Sequence, residues 1–150
     1  MDFKQRWTPG FKQNIYNSRI NTTSSLAKAI NAAVVKPKAF ITMSGVGAYK
    51  PFDFFSQLVS EWEKASVLDE DSQKSCRIVN IRSGVVLGKD GGMIQQLYLP
   101  FFLGLGGPVG NGAQFLPWIH VTDLVRLIIF AVENDKVRGV LNGVAPQVCT

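Results

Sequence analysis

The sequence has no long apolar run of the kind that membrane-spanning helices need, since none of its apolar stretches approaches about 20 residues. Its first residues contain no apolar segment typical of a secretory signal, so we expect no export. Cysteine is scarce, and Cys76 and Cys149 are too far apart to show the spacing of metal ligands. We therefore expect two reduced thiols, no metal site and an intracellular protein, cytoplasmic first, with mitochondria and nucleus left open.

Acidic residues are nearly missing from the first third of the chain. The first fifty residues hold eight Lys or Arg and one acid, Asp2, whereas the remaining hundred hold eight basic and ten acidic residues. A basic region of this kind attracts phosphate, either on a cofactor or on nucleic acid. The lysines are scattered, with no aromatic stacking ladder between them, so nucleic acid is the weaker interpretation and a solvated helix face is the simpler one.

The residues that are present fit one globular domain, with 46% apolar residues in a chain of 150. Hydrophobic periodicity and turn residues predict four helices: 11–33 with a bend near 22–25, 54–68, 93 to Pro100, and 122–135 with Thr122 as N-cap and Asp123 in its first turn. They also predict strands over 38–44, over 76–88 with a turn at Gly84 or Gly88, and over 139–145. The segment 69–75 is predicted to be a polar connection and 114–121 to be extended. Strands that alternate with helices indicate an α/β domain with a doubly wound, mostly parallel sheet.

The densest run of glycine, LGLGGPVGNG at 103–112, raises the question of a phosphate-binding loop. Such a loop lies between a strand and a helix, and its fingerprint is GxGxxG. Here an amphipathic segment containing Pro100 precedes the run, an extended segment containing Pro117 follows it, and the glycine spacing misses the fingerprint. We interpret the run as a turn that leads into an edge strand near a cleft.

Several motifs agree in order and spacing with one known family. They are RW at 6–7, SR at 18–19, SGVGAY at 44–49, WE at 62–63, RSGVVLG at 82–88, GG at 91–92, GLGGPVGNGAQFLPWIHVTDL at 104–124 and GVLNGVAP at 139–146. In these the chain resembles the epimerase-like branch of the extended short-chain dehydrogenase/reductases. The resemblance implies a Rossmann-like fold, NADP as cofactor, a small-molecule substrate and oxidoreductase or epimerase chemistry.

The departures from that family set the expectation for this chain. The family's opening strands and dinucleotide loop would precede Met1, its substrate region would follow Pro146, and the stretch from Ser44 to Phe55 is short. We expect residues 1–150 to form one incomplete Rossmann-like domain of a fragment or variant that is inactive alone. Strands left without neighbours would expose a sheet edge through which copies could associate. The alternatives are a non-catalytic interaction module of the same fold and, with less support, a basic nucleic-acid binder.

The resemblance also points to catalytic residues. Enzymes of the family use Ser, Tyr and Lys, and the helix that begins with the Tyr carries a Glu eight residues later. Counting back from Glu63 puts Phe55 at the Tyr position and Val59 at the Lys position, so the usual pair is absent. Ser44 matches the family's active-site Ser or Thr, with a strand-end cap as the alternative. Tyr49 is the nearest phenol and the candidate proton donor, with packing beside a proline as its alternative.

Three residues are candidates for cofactor contacts by resemblance. Arg19 matches a position beside the cofactor, where a guanidinium suits phosphate or polar groups near the nicotinamide; the alternative is a surface salt bridge. Asn14 on the same helix is the weaker candidate. Val86 would contact the nicotinamide end while also serving the core. We expect Arg82 to be buried and paired, and His120, without triad partners, to be structural and near the cap of the following helix.

Overall fold

The computed structural model of the protein describes residues 7–49, 53–89, 91–108, 110–147 and 149–150. Its helices and strands, in chain order, are α1 (Pro9–Tyr16), a π-helical turn (Asn17–Asn21), α2 (Thr22–Ala32), β1 (Ala39–Gly45), a 3-10 turn (Val46–Tyr49), α3 (Phe54–Ala65), α4 (Glu70–Ser75), β2 (Arg77–Ser83), β3 (Val85–Gly88), α5 (Gly92–Phe102), β4 (Trp118–His120), α6 (Val121–Glu133) and β5 (Gly139–Gly143).

The strands form two parallel sheets. The larger sheet has the order β1-β2-β5, and β3 pairs with β4 in a separate two-stranded sheet. One face of the larger sheet is covered by α6, where Val79 and Ile81 of β2 pack with Leu124 and Ala131. Successive strand residues point to opposite faces, so the other face packs against α2 through Phe40 and Ala27. Helices on both faces of a parallel sheet confirm the predicted α/β, partial Rossmann-like architecture.

The predicted polar connection at 69–75 is wrong, because Glu70–Ser75 form the short helix α4. The Asp69 carboxylate accepts a hydrogen bond from the Ser72 backbone N–H at 2.7 Å. Hydrogen bonding by the Ser72 side chain first, and by its backbone second, lowers the pKa of Asp69. Acids occupy the first turn and Lys74 the last, which suits the helix dipole. A helix of six residues held by a cap and by charge has no apolar periodicity, so the sequence pattern gave no helix signal there.

The run at 76–88 is two strands rather than one, and the break falls at Gly84, one of the two predicted turns. Beyond this residue the chain leaves the larger sheet, and the Val85 N–H donates to the Pro117 carbonyl at 2.8 Å. A Cβ at Gly84 would lie 2.4 Å from the Pro117 oxygen. Only glycine therefore lets the two backbones approach closely enough to start the β3–β4 pair.

Three element boundaries also differ from the predictions. Helix α5 continues through Pro100 to Phe102. The segment predicted to be extended over 114–121 is a strand only at Trp118–His120. Helix α6 begins at Val121, and Thr122 is not its N-cap: the cap is His120, whose Nδ1 accepts the Thr122 N–H at 3.2 Å. The placement of His120 near the cap and of Asp123 in the first turn is confirmed.

The long first helix is confirmed, with one local change in its geometry. Its irregularity is the π-helical turn at Asn17–Asn21, which comes directly before the predicted bend at 22–25.

Among the described residues, no helix is long and apolar enough to cross a lipid bilayer.

Candidate active site at the carboxyl ends of the strands

Three polar residues lie side by side across the larger sheet. The strand register pairs Ser44 of β1 with Arg82 of β2, and Arg82 with Asn142 of β5. Each of them is at or next to the end of its strand, and all three lie at the carboxyl edge of the sheet. In open α/β sheets this edge is where ligands bind.

Glu63, from the last turn of α3, joins this row through an ion pair. Its Oε1 accepts the Arg82 Nε–H at 2.8 Å and the Ser44 hydroxyl at 2.6 Å, and its Oε2 accepts Arg82 Nη2 at 2.7 Å. Only 19% of the Arg82 side chain and 15% of that of Glu63 are exposed. Hydrogen bonds from Arg82 lower the pKa of Glu63 although burial opposes this, and the bond from Ser44 lowers it further. The same contacts with Glu63 raise the pKa of Arg82. The prediction that Arg82 is buried and paired is confirmed.

Tyr49 lies over this ion pair on the solvent side. It ends the 3-10 turn after β1, and its ring centroid is 4.8 Å from the Arg82 guanidinium carbon. Its hydroxyl donates to Asn142 Oδ1 at 2.7 Å, while 59% of the residue is exposed. The arrangement is therefore an accessible phenol that rests on a guanidinium, which in turn is fixed by a mostly buried carboxylate. The alternative contact of Tyr49 with Pro51 lies outside the described residues.

The structure brings both catalytic candidates into one network, but their surroundings differ. Tyr49 faces solvent, whereas Ser44 is 5% exposed and its hydroxyl is directed to Glu63. Asn142 was not singled out from the sequence. The available signal was its place in the strand segment GVLNGVAP, where one amide side chain follows a run of apolar residues.

The two positions that counting back from Glu63 assigns to the family's Tyr–Lys pair, Phe55 and Val59, hold apolar side chains that pack against their neighbours. Phe55 makes edge-to-face contacts with Trp7 and Phe54 at centroid distances of 5.3 and 5.6 Å. Val59 is buried and lies against Gly45 at the end of β1. No phenol or ammonium group stands at either position.

Arg19 lies in the π-helical turn, a feature often found at functional sites. Its guanidinium carbon is 5.7 Å from the Trp62 ring centroid, and its Nη1 donates to Ser18 Oγ at 2.9 Å. It forms no ion pair with any described residue, so the surface salt bridge is not observed in the described part of the chain. The Trp62 indole is fixed by its own bond to Thr23 Oγ1 at 2.8 Å. Asn14 is exposed on α1.

Helix α3 connects Arg19 with the sheet edge, because it carries Trp62 and Glu63 as consecutive residues. Val86 lies elsewhere, on β3, where it packs against the main core. It also lines a shallow cleft of about 370 Å³ at the start of α5, together with Lys89 and three glycines. The core role expected of Val86 is thus confirmed.

The glycine-rich run at 103–112 follows helix α5 and precedes strand β4, the reverse of the order that a dinucleotide loop requires. Gly104, Gly110 and Gly112 have φ values of 72°, 62° and 74°, where side chains with a Cβ are strained. A cleft of about 710 Å³ lies between this run and α5. The interpretation as a turn leading to a strand near a cleft is confirmed.

The chain is similar to curated proteins along nearly its whole length. It is 46% identical to the human epimerase family protein SDR39U1 over 97% of this chain and 54% of that protein. It is 36% identical to the epimerase family protein SH2119 of Staphylococcus haemolyticus over 95% of this chain and 52% of that protein. The chain thus spans about half the length of the curated relatives it matches. No protein-family model matches it.

Solved structures show the same relationship. A crystal structure of human SDR39U1 with NADPH matches at a TM-score of 0.91, covering 97% of this chain and 53% of that one at 46% identity. A nucleoside-diphosphate sugar epimerase from Corynebacterium glutamicum matches at 0.84 and 27% identity, covering 99% of this chain and 34% of that one. These comparisons confirm the resemblance on which the candidate residues were chosen.

Proposed function

We propose, from the premise that this chain belongs over nearly its whole length to the epimerase family of the short-chain dehydrogenases/reductases, that it is part of an NADP-dependent oxidoreductase or epimerase acting on a small molecule. The observation that carries the proposal is its similarity to human SDR39U1, which was crystallised with NADPH and which this chain matches at a TM-score of 0.91. We propose further that the chain is inactive without the remaining half of such a protein.

Tyr49 is the proposed proton donor and acceptor at the substrate oxygen. It is accessible to a substrate, and its hydroxyl donates to Asn142 Oδ1 at 2.7 Å, so proton transfer requires the substrate oxygen to replace Asn142 as the acceptor. The Arg82 guanidinium against its ring limits the orientations of the phenol, and a positioned group of this kind can transfer a proton to a bound carbonyl or alcohol. The hydroxyl of Ser44 is directed to Glu63, so we propose that Ser44 fixes the ion pair behind the phenol rather than touching the substrate.

The residues proposed for the cofactor fit it in part. Arg19, without an ionic partner among the described residues, offers a cation for a phosphate or an amide carbonyl, and Asn14 adds an exposed amide. Val86 and Lys89 line the shallow cleft, where an apolar wall and a cation suit the nicotinamide end. NADP supplies hydride-transfer chemistry when bound. The sequence contains no GxGxxG fingerprint for its pyrophosphate, which supports the expectation that this chain alone does not bind NADPH.

A non-catalytic interaction module of the same fold is the second candidate. It is favoured by Phe55 and Val59 at the positions of the family's Tyr–Lys pair. Nucleic-acid binding is the third and rests only on the basic first fifty residues. Self-association through a sheet edge also stays a proposal: β1 is hydrogen-bonded to β2 on one side and is a terminal strand of its sheet.

Calorimetric titration with NADPH tests the proposal on two proteins, this chain and a fusion that adds the unmatched half of human SDR39U1. We expect saturable binding by the fusion and none by the chain alone. In the fusion, Arg19→Ala should weaken NADPH binding by about tenfold, the loss expected for one charged contact to a phosphate. Arg126→Ala, an exposed arginine on α6 paired with Asp123, is the matched control and should change nothing.

The outcomes separate the candidates. Micromolar binding by the chain alone would refute the proposed inactivity, and absence of binding by a folded fusion would refute NADP dependence. A fusion that binds NADPH but shows the same reductase activity with Tyr49→Phe would remove Tyr49 from catalysis. Binding of a DNA duplex with a steep salt dependence and no NADPH binding would favour the nucleic-acid binder.

A further inference from the structure

The ring of Trp62 is held in one orientation by a bond to a buried side chain. Its indole N–H donates to Thr23 Oγ1 at 2.8 Å, and only 6% of Thr23 is exposed. The bond joins α3 to α2, so a rotation of the ring would break a contact between two helices that lies partly away from solvent. The indole therefore has a face whose direction is set by the fold.

The guanidinium of Arg19 lies over this ring. Its carbon is 5.7 Å from the ring centroid, within the range of a cation–π contact. On the side of its own helix, Nη1 donates to Ser18 Oγ at 2.9 Å, and the Ser18 hydroxyl donates in turn to the Ile15 carbonyl at 2.9 Å. A long side chain that would otherwise sample many rotamers is thus supported from two directions.

Neither contact neutralises the charge of Arg19. A hydroxyl and an aromatic ring are uncharged, and no ion pair links Arg19 to an acid in the described part of the chain. Glu61, the residue before Trp62 on α3, is an acid, but its carboxylate accepts the Tyr16 hydroxyl instead. A guanidinium has five N–H donors, and within the described residues one nitrogen of Arg19 donates, so other donors can meet an oxyanion.

We propose that Trp62 is a positioning residue for NADP binding, which acts by holding Arg19 toward the cofactor without neutralising it. This role rests on the function proposed above, in which Arg19 offers its charge to NADP. A carboxylate in place of the ring would also fix the guanidinium, but the cofactor would then have to displace that carboxylate. Stacking on an indole leaves the N–H groups free, and arginine suits this arrangement because its planar cation can stack and bind an oxyanion at the same time.

Calorimetric titration of NADPH into the fusion of this chain with the unmatched half of human SDR39U1 tests the role of Trp62. Trp62→Leu should weaken binding by about fourfold, the loss expected when a cation–π contact no longer holds a partly exposed arginine. Trp62→Phe keeps a ring under the guanidinium and should recover part of that loss. Trp7→Leu is the matched control, because the Trp7 ring packs edge-to-face with Phe11, Phe54 and Phe55, and it should leave binding unchanged.

A double-mutant cycle separates this positioning role from a structural one. If Trp62 acts through Arg19, the double variant Arg19→Ala/Trp62→Leu should bind NADPH no more weakly than Arg19→Ala, which is expected to lose about tenfold. Binding through an ionic contact weakens as the salt concentration rises, so Trp62→Leu should also reduce the salt dependence of the Kd. A loss of packing that left Arg19 in place would not change the salt dependence.

The outcomes distinguish a failure of this role from a failure of the proposed function. Losses that multiply to about 40-fold in the double variant, or an unchanged Kd in Trp62→Leu, would overturn the positioning role and leave the proposed function standing. An unchanged Kd in Arg19→Ala would show that Arg19 does not contact the cofactor, and an unaltered fusion that binds no NADPH would refute NADP dependence. Either of these two results would also overturn the role of Trp62.

Discussion

Replacing Arg82 by methionine removes the cation from the ion pair at the carboxyl edge of the sheet while keeping an apolar stem of similar length. The Glu63 carboxylate then loses two hydrogen bonds, at 2.8 and 2.7 Å, and keeps only the one from Ser44. Breaking a fully buried ion pair costs 3–5 kcal/mol, and both side chains here retain slight exposure, so we expect a loss of about 3 kcal/mol in the free energy of unfolding.

The pair also predicts how that loss changes with pH. Arg82 holds the pKa of Glu63 below its ordinary 4.5, so the stabilisation is complete above about pH 4.5 and is lost as the pH falls through the lower folded-state value. In Arg82→Met the burial of Glu63 acts unopposed by a cation and favours its neutral form. The difference between the two proteins should therefore be largest near pH 7 and shrink as the pH falls towards 4.5 and below it.

Urea unfolding followed by tryptophan fluorescence measures these differences. A double-mutant cycle with Glu63→Gln isolates the interaction, and we expect a coupling of about 2 kcal/mol, because the double variant buries no unpaired charge. Additive single losses, or a loss in Arg82→Met that is unchanged between pH 7 and pH 4, would refute the assignment of the ion pair as the stabilising element of this edge.

Two further changes test the packing away from this edge by the same urea assay. Arg77 is buried and donates to the Ala131 and Val132 carbonyls at 2.6 Å each. Arg77→Met should lower the free energy of unfolding by about 3 kcal/mol, because it leaves these carbonyls at the end of α6 unsatisfied, and Arg77→Lys should recover part of this loss. Equal losses in the two variants would contradict this role. Gly84→Ala should lower the free energy of unfolding by about 2 kcal/mol, because its Cβ meets the Pro117 backbone. Gly91→Ala is the control, since the space around Gly91 is open, and it should change the free energy of unfolding by less than about 0.5 kcal/mol. A Gly84→Ala variant as stable as the unaltered chain would disprove the close approach.

Elements with strong local patterns were predicted correctly, and those that depend on their neighbours were not. The amphipathic spacing of Leu58, Val59 and Trp62 was enough to predict α3. Helix α4 was missed because a cap and charges, not apolar spacing, hold it together. The split of 76–88 was visible as a candidate turn at Gly84, but the separation into two sheets depends on Pro117, more than thirty residues away.

The candidate site shows the same division. Ser44 and Tyr49 were found through the resemblance of SGVGAY to family motifs, and Arg82 was expected to be paired without a named partner. The register of β1, β2 and β5 decided that Ser44, Arg82 and Asn142 lie in one row. A short segment of sequence cannot specify such a row, because strand register is set by contacts between distant parts of the chain.

The sequence by itself determined the α/β class, through the alternation of strand and helix patterns, and the resemblance to the epimerase family, through motifs that follow one order along the chain. It also determined the absence of a GxGxxG fingerprint and the turn at the glycine run, since these depend on residue types within one short segment. The tertiary structure alone decided that Glu63 pairs with Arg82, that the Ser44 hydroxyl is directed inward while Tyr49 faces solvent, and that α5 carries its apolar side chains on the surface. The physical reason is that burial, ion pairing and exposure are properties of side chains brought together by folding, and residues far apart in the chain supply the partners.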